Sequence, residues 1–334
     1  MSWLLWLLPL PLLWLAFRNI SFGRLADLFT SLNALQVAAL VGVNVLVLAT
    51  FSARWWIVLL AQGTARVSFV EVSAYRLVSF AVSFFTPGPQ FGGEPLQVYF
   101  LNRSHDVPTG PALASVALEK TIELTINGLM MAAGAILVVR SELLPELGQT
   151  GVVLTLLLMV LPLGLLVLFW SGYRPFTPLI GLLPESIRQA AAFEQAAAAV
   201  LNAEDEIIAF CQQRRGALLL ASLVTIASWV LFVVEYGFAL SLFGLRLPLG
   251  QVVALVVAAR LAFLVPAPGG LGAVEASQVF VMQALGYDPA IGLSLSLLIR
   301  VRDLLFGLAG LALGWAMGAQ HLLRPTDRYF VEEE

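Results

Sequence analysis

The sequence predicts an all-α, polytopic membrane protein with about seven or eight transmembrane helices. Hydrophobic residues make up 60% of its 334 residues and charged residues only 12%, whereas about a quarter of a soluble domain is charged. The mean hydropathy is +0.91. Apolar runs long enough to cross about 30 Å of hydrocarbon recur along the chain. Residues 1–334 are therefore expected to form a single membrane domain.

The apolar runs place the spans in order. The predicted spans are residues 3–17, 35–60, 70–87, 110–139, 152–170, 217–243, 249–265 and 290–317. The first has no positive region before it and no small-residue cleavage site, so we expect a retained helix rather than a signal peptide. The segment 171–215 is polar and has charges at helical spacing, which predicts an extramembrane helical segment. Arginines occur in loops on both sides of any alternating assignment, so the orientation stays open.

Several classes of site are not expected. One cysteine, Cys211, and two histidines, His105 and His321, allow no internal disulfide and no common zinc spacing, so we expect neither a metal nor a cofactor. The net charge of −3 comes without a basic stripe, so nucleic acid is not an expected partner. The single lysine, Lys120, does not follow a glycine-rich loop, which argues against ATP-driven pumping.

Two distant segments share one pattern. Residues 87–99 and 268–280 both read Pro-Gly-x5-Glu-x-x-Gln-Val-aromatic, and each follows an apolar run that carries an arginine, Arg76 or Arg260. The agreement predicts two structural repeats, about residues 70–140 and about residues 249–318. Four predicted crossings separate the two segments, which favours parallel rather than inverted halves.

Each shared segment interrupts a helix. The predicted helix-break residues are Pro87, Gly88, Gly92, Gly93, Pro268, Gly269, Gly270 and Gly272. A broken helix leaves backbone groups unpaired, so it is tolerated at membrane depth only inside protein or beside a water-filled cavity. Two equivalent breaks indicate a transporter-type central site. The short segments 97–101 and 278–285 are predicted to be re-entrant or half helices, whose free N–H groups favour phosphate or another anion.

The residues around these breaks resemble a known family. Gly92–Pro95, the group Leu118–Lys120 with Glu123, and residues 268–272 with Glu275 resemble the flippase-like membrane family typified by the N-terminal membrane region of lysylphosphatidylglycerol synthetase. The resemblance covers roughly residues 10–320 and implies a lipid-translocating fold. The aminoacyl-transferase domain of the synthetase has no counterpart here, so lysyl-lipid synthesis is not implied.

The chain departs from the family pattern at two places. Gln97 stands where members tend to carry arginine, and Glu119, Lys120 and Glu123 stand at a Glu-Arg…Asp pattern. The second departure keeps charge but changes the reach of the side chains.

Ionisable residues inside the predicted spans require an explanation, because inserting each into the membrane costs about 2.5–3.5 kcal/mol of free energy. They are either structural pairs or groups that bind a lipid phosphate and a cationic headgroup. Glu94 and Glu275 either cap their half helices or line a cavity, and the Gln three residues later favours the cavity. Glu235 is expected to be a paired structural acid rather than a proton-coupling site. The candidate binding residues are Arg76, Glu94, Gln97, Glu119, Lys120, Glu123, Arg260, Glu275, Gln278, Arg300 and Asp303.

The expected function is a lipid flippase or transporter, multi-pass in the plasma (inner) membrane. A phospholipid or polyprenyl-linked headgroup, anionic or phosphate-bearing, would cross between the repeats while its tails stay in lipid. A lipid-modifying enzyme is a candidate partner, and no catalytic residue is assigned. Two alternatives stay open: a headgroup transferase using Glu119 and Glu123 as acid and base, and a scaffold whose role would survive neutralisation of Glu94 and Glu275.

Overall fold

The computed structural model describes residues 23, 33–63, 66–86, 92–140, 145–265, 267 and 270–323. The predicted first span at residues 3–17 and the acidic end of the chain lie outside these ranges. The regular structure of the described residues is helical, which confirms the predicted all-α class. Its helices are α1 (Ala34–Gln62), α2 (Phe69–Phe85), α3 (Glu94–His105), α4 (Thr109–Arg140), α5 (Pro145–Trp170), α6 (Phe176–Gly181), α7 (Glu185–Arg188), α8 (Ala191–Gln213), α9 (Arg215–Leu242), α10 (Leu249–Ala262), α11 (Ala273–Ala284) and α12 (Pro289–Leu323).

Three of these helices are long and apolar enough to cross a membrane: α1, residues Thr109–Val139 of α4, and α9. Shorter apolar helices are Met159–Trp170 within α5, and α10. The outer face of α9 exposes Leu219, Leu223 and Val230 by 58–62%. Spacings of four and seven residues keep these side chains on one helix face. An exposed apolar stripe of this kind is suited to contact with lipid.

Local capping explains where α1 and α2 begin. The side chain of Asn33 accepts the Gln36 N–H while the Gln36 side chain accepts the Asn33 N–H, both at 2.9 Å. Ser68 and Glu71 form the same reciprocal pair at the start of α2. Both satisfy N–H groups that have no partner inside the helix. Gly63 ends α1 with φ +72°, a left-handed conformation that favours glycine.

The first break lies between α2 and α3. Helix α2 ends at Phe85, and α3 begins at Glu94, with Pro95 in its first turn. At Gly93 a Cβ atom would lie 2.0 Å from the Ser79 carbonyl oxygen, so only glycine allows this close approach of α3 to α2. Helix α3 has 12 residues, about 18 Å of rise, which is too short to cross about 30 Å of hydrocarbon.

The second break lies between α10 and α11, which also has 12 residues. Gly270 and Gly272 take positive φ values of +67° and +79° there. The order of helix, break, short helix and long helix thus occurs twice, in α2–α4 and in α10–α12. Among the predicted break residues, Pro87, Gly88, Pro268 and Gly269 lie outside the described residues. The interpretations as two repeats and as re-entrant helices stay predictions.

Helices from the two halves of the chain pack against one another. Helix α1 packs on α9, α2 on α12, and α10 on α4. The α2–α12 contact is close: a Cβ atom added at Gly310 would lie 2.2 Å from the Leu77 carbonyl oxygen. This interleaving surrounds a space whose wall comes from both halves.

The segment 171–215 folds into α6, α7 and α8 beside α4 and α5. The outer face of α8 exposes Glu194, Gln195 and Asp205, whereas Phe210 and Cys211 are buried against α4 and α9. A polar outer face suits a helix in contact with water rather than with lipid tails. An extramembrane position for this segment stays a prediction.

Candidate functional site

A cavity of about 160 Å³ lies between seven helices, α1, α2, α3, α4, α9, α10 and α12. Part of its wall is aromatic, and part is charged. The charged side chains in the wall are Arg76, Glu94, Lys120, Glu123, Arg260, Arg302 and Asp303. Large aromatic side chains with only a few polar groups among them are typical of ligand sites. Charged groups deep in a membrane protein usually serve function, because hydrocarbon cannot solvate them.

Glu119 and Glu123 form the centre of the first ion cluster. They are four residues apart and share one face of α4. Arg54 of α1 lies 2.5 Å from the Glu119 carboxylate and 2.9 Å from that of Glu123. Arg76 of α2 lies 2.8 Å and 3.6 Å from the same two groups. Both arginines and Glu119 are buried. The carboxylates therefore join α1, α2 and α4, as the structural interpretation expects.

Lys120 connects the first ion cluster to Glu94, which follows the first break. Its Nζ atom lies 3.1 Å from Glu94 and 3.2 Å from Glu123. The other Glu94 oxygen accepts the Gly92 N–H at 2.9 Å. The side chains of Lys120, Glu94 and Glu123 are each about one-fifth exposed. Glu94 therefore bonds to the turn before α3 and also faces the cavity.

A second ion cluster also borders the cavity, through Arg302 and Asp303. Arg302 of α12 pairs with Glu235 of α9 and lies 2.8 Å from Asp303. Its guanidinium also donates to Asn44 of α1 at 3.1 Å. Asn44 and Arg54 are ten residues apart in α1, so about 15 Å of helix separates the two clusters. Glu235 is thus a paired acid, as expected from the sequence.

The second break has an ion pair of its own. Arg300 donates to Glu275 at 2.6 Å and to the Gly270 carbonyl oxygen at 2.7 Å. Glu275 also accepts the Gly272 N–H at 2.8 Å. Gln278 is fully buried and donates to the Leu255 carbonyl oxygen at 3.1 Å. These side chains tie the break to α10 and α12 and lie outside the cavity wall.

Arg260 of α10 differs from the other cations of the cavity. Its guanidinium lies over the Phe232 ring, 3.6 Å from the centroid, and 5.8 Å from that of Trp229. Within the described residues no carboxylate comes within 4 Å of it, whereas Arg76 and Arg302 each have two such neighbours. The aromatic stack orients this charge without neutralising it.

The structure brings most of the predicted residues to one place and separates the rest. In the cavity wall or its first ion cluster are Arg76, Glu94, Gln97, Glu119, Lys120, Glu123, Arg260 and Asp303. Around the second break are Glu275, Gln278 and Arg300. Sequence reasoning missed Arg54, although a charge inside the apolar run 35–60 is a usable signal. In the part of the chain that the structure describes, no three His, Cys, Asp or Glu side chains converge as metal ligands.

Comparison with known proteins agrees with this architecture. Residues 3–310 match a family model described as lysylphosphatidylglycerol synthase TM region. A UPF0104 membrane protein of Methanothermobacter thermautotrophicus is 21% identical over 295 residues, which are 84% of this chain and 84% of that relative. No solved structure matches the chain.

Proposed function

Since the chain belongs to the lysylphosphatidylglycerol synthase transmembrane-region family, we propose that it is a lipid flippase or transporter. A phospholipid or polyprenyl-linked headgroup bearing phosphate would pass through the charged cavity while its tails remain in the bilayer. The proposed location is the plasma (inner) membrane. The observation that carries this proposal is a cavity of about 160 Å³ with four cationic side chains in its wall.

The two faces of the cavity suit the two parts of a lipid. Cationic groups replace the water that solvates a phosphate oxygen, and they do so more strongly where water is scarce. The aromatic side chains Phe80, Phe84 and Phe306 line the same cavity and offer an apolar surface to glycerol or the first methylenes. The energy source would be a gradient of substrate, of protons or of membrane potential.

A headgroup transferase is less well supported by the geometry. Acid–base catalysis needs a carboxyl group that can gain and lose a proton at a reacting atom. Glu119 and Glu123 each lie within 4 Å of both Arg54 and Arg76. Both carboxylates are thus engaged in ion pairs with two guanidinium groups, which suits structure and binding better than proton transfer.

Reconstituted vesicles provide the direct test. Purified protein should accelerate the loss of fluorescent phosphatidylglycerol from the protected leaflet, measured by chemical quenching of the outer leaflet. Leu48 lines the cavity, whereas Leu46 on the same helix is 55% exposed on its outside. Leu48→Trp should fill the cavity and slow translocation severely, while Leu46→Trp should leave the rate unchanged. The proposal is wrong if wild-type vesicles move the lipid no faster than protein-free ones, or if both tryptophan variants are fully active.

A further inference from the structure

The cations of the cavity are not equivalent. Arg76, Lys120 and Arg302 each hold two carboxylates within 4 Å. Their charge is already compensated, so an arriving anion would have to compete with those carboxylates. Arg260 has no such neighbour among the described residues, and it lies in the same wall.

The surroundings of Arg260 orient it without occupying its hydrogen-bonding edge. Stacking on Phe232 uses the face of the planar guanidinium, whereas its N–H donors lie in the plane. Tyr236, one helical turn from Phe232 on α9, also lines the cavity and carries a hydroxyl donor. A planar fork of donors and a hydroxyl in the wall of the same cavity suit the oxygens of one phosphate group.

We propose that Arg260 is the anchor of the cavity, binding a phosphate oxygen pair of the headgroup, with the Tyr236 hydroxyl as a second donor. This inference rests on the proposed function and adds to it the group that is recognised. The substrate class is then a lipid with an accessible phosphate, and the same lipid without phosphate is not a ligand. The compensated cations shape the cavity around the anchor.

The experiment measures binding separately from transport. Purified protein in detergent is titrated with dihexanoyl phosphatidylglycerol, with dihexanoylglycerol, which lacks the phosphate, and with inorganic phosphate, and the thermal shift gives each affinity. Arg260→Gln should weaken phosphatidylglycerol binding about tenfold to a hundredfold, because a charge-assisted hydrogen bond is lost. Arg260→Lys keeps the charge but not the fork, so its affinity should lie between the two.

The chain offers a matched control for Arg260. Arg215 also stacks on an aromatic ring, 5.1 Å from the Trp170 centroid, but it is exposed and outside the cavity wall. Arg215→Gln should therefore bind phosphatidylglycerol as the wild type does. A circular dichroism melt of each variant without ligand shows that the fold is kept.

Each outcome has one meaning. Binding of phosphatidylglycerol but not of dihexanoylglycerol, lost in Arg260→Gln, supports the anchor. A parallel effect with inorganic phosphate identifies free phosphate as a second source of the bound group. Equal binding by wild type and Arg260→Gln overturns the anchor, even if vesicles still translocate lipid. Vesicles that move no lipid, with Arg260-dependent binding intact, would instead reject translocation and leave the anchor standing.

Discussion

Glu94 and Glu275 occupy the same position of the shared sequence pattern, yet the structure gives them different surroundings. Each lies in the first turn of a 12-residue helix and accepts an N–H group from the residues before that helix. Glu94 then pairs with Lys120, remains 23% exposed and faces the cavity. Glu275 pairs with Arg300 and is only 1% exposed. The glutamate of this motif thus faces the cavity in the first half of the chain and is buried in helix packing in the second half.

The partners of the two glutamates explain this difference. Both partners come from the long helix that follows the short one, at Lys120 and Arg300. Lysine has a flexible stem and reaches along the cavity wall, whereas the arginine fork closes over its carboxylate and over the Gly270 carbonyl oxygen. The Glu94–Lys120 pair is consequently partly exposed to the cavity, whereas Glu275 is almost fully buried.

The largest expected effect is a loss of stability on removal of the buried Glu275 carboxylate. Glu275→Gln should lower the free energy of unfolding by about 3–5 kcal/mol, because it removes a carboxylate that is only 1% exposed from its ion pair with Arg300. Glu94→Gln should cost less than about 1 kcal/mol, because Lys120 is partly exposed and keeps Glu123. Thermal and denaturant unfolding in detergent compare the two variants.

The double variant Glu275→Gln with Arg300→Gln separates charge from packing. Removing both charges should recover part of the stability that the single variant loses, since the guanidinium that faced the lost carboxylate is removed as well. Equal losses in Glu94→Gln and Glu275→Gln would show that the two breaks are energetically alike, against the contrast drawn from their surroundings.

The sequence was enough to predict the long apolar helices of the described region, because long apolar runs determine where such helices lie. The short helices α3 and α11 begin three and five residues before the predicted segments 97–101 and 278–285. Predicted span 35–60 became α1 and span 217–243 became α9 within two residues at each end. The pairing of the charges was not predictable. Arg76 and Arg260 look equivalent in the sequence, but one pairs with Glu119 and the other stacks on Phe232, because pairing depends on which helices become neighbours.

A substitution at Gly93 tests the same comparison of the two breaks, with a smaller expected loss of stability. The shared pattern places Val274 at the corresponding position of the second half, and that valine is fully buried. At Gly93 a Cβ atom would lie 2.0 Å from the Ser79 carbonyl oxygen. Gly93→Ala should therefore push α3 away from α2 and cost about 1–3 kcal/mol.

Gly42 provides the control for this substitution. It lies within α1, and a Cβ atom there would meet nothing within 4 Å. Gly42→Ala should be neutral or stabilising by up to about 1 kcal/mol, because alanine favours helix. Unfolding of both variants under identical detergent conditions checks the prediction. A Gly93→Ala protein as stable as wild type would mean that the first break adjusts without loss and is no more constrained than its counterpart.

The smallest expected effect is a pattern of thiol labelling. The single native cysteine, Cys211, lies on α8, in the segment predicted to be outside the membrane, and burial raises the pKa of its thiol to about 11. At neutral pH its thiolate fraction is then roughly a hundredfold smaller than that of an ordinary cysteine. Wild-type protein should therefore stay unlabelled by a water-soluble thiosulfonate reagent, and labelling should rise with pH toward 11 because deprotonation creates the nucleophile.

Because the wild-type protein is expected to stay unlabelled, cysteines introduced at new positions can report on the two halves. Glu94→Cys should label readily, because the side chain at this position is partly exposed to the cavity. Gln278→Cys should label slowly, because position 278 is fully buried, and it leaves the Glu275 and Arg300 pair in place. Mass spectrometry after timed exposure measures both rates, with denatured protein as the fully labelled reference. Similar rates at the two positions would mean that the reagent reaches both equally. That result would contradict the contrast between the partly exposed Glu94 and the buried residues of the second motif.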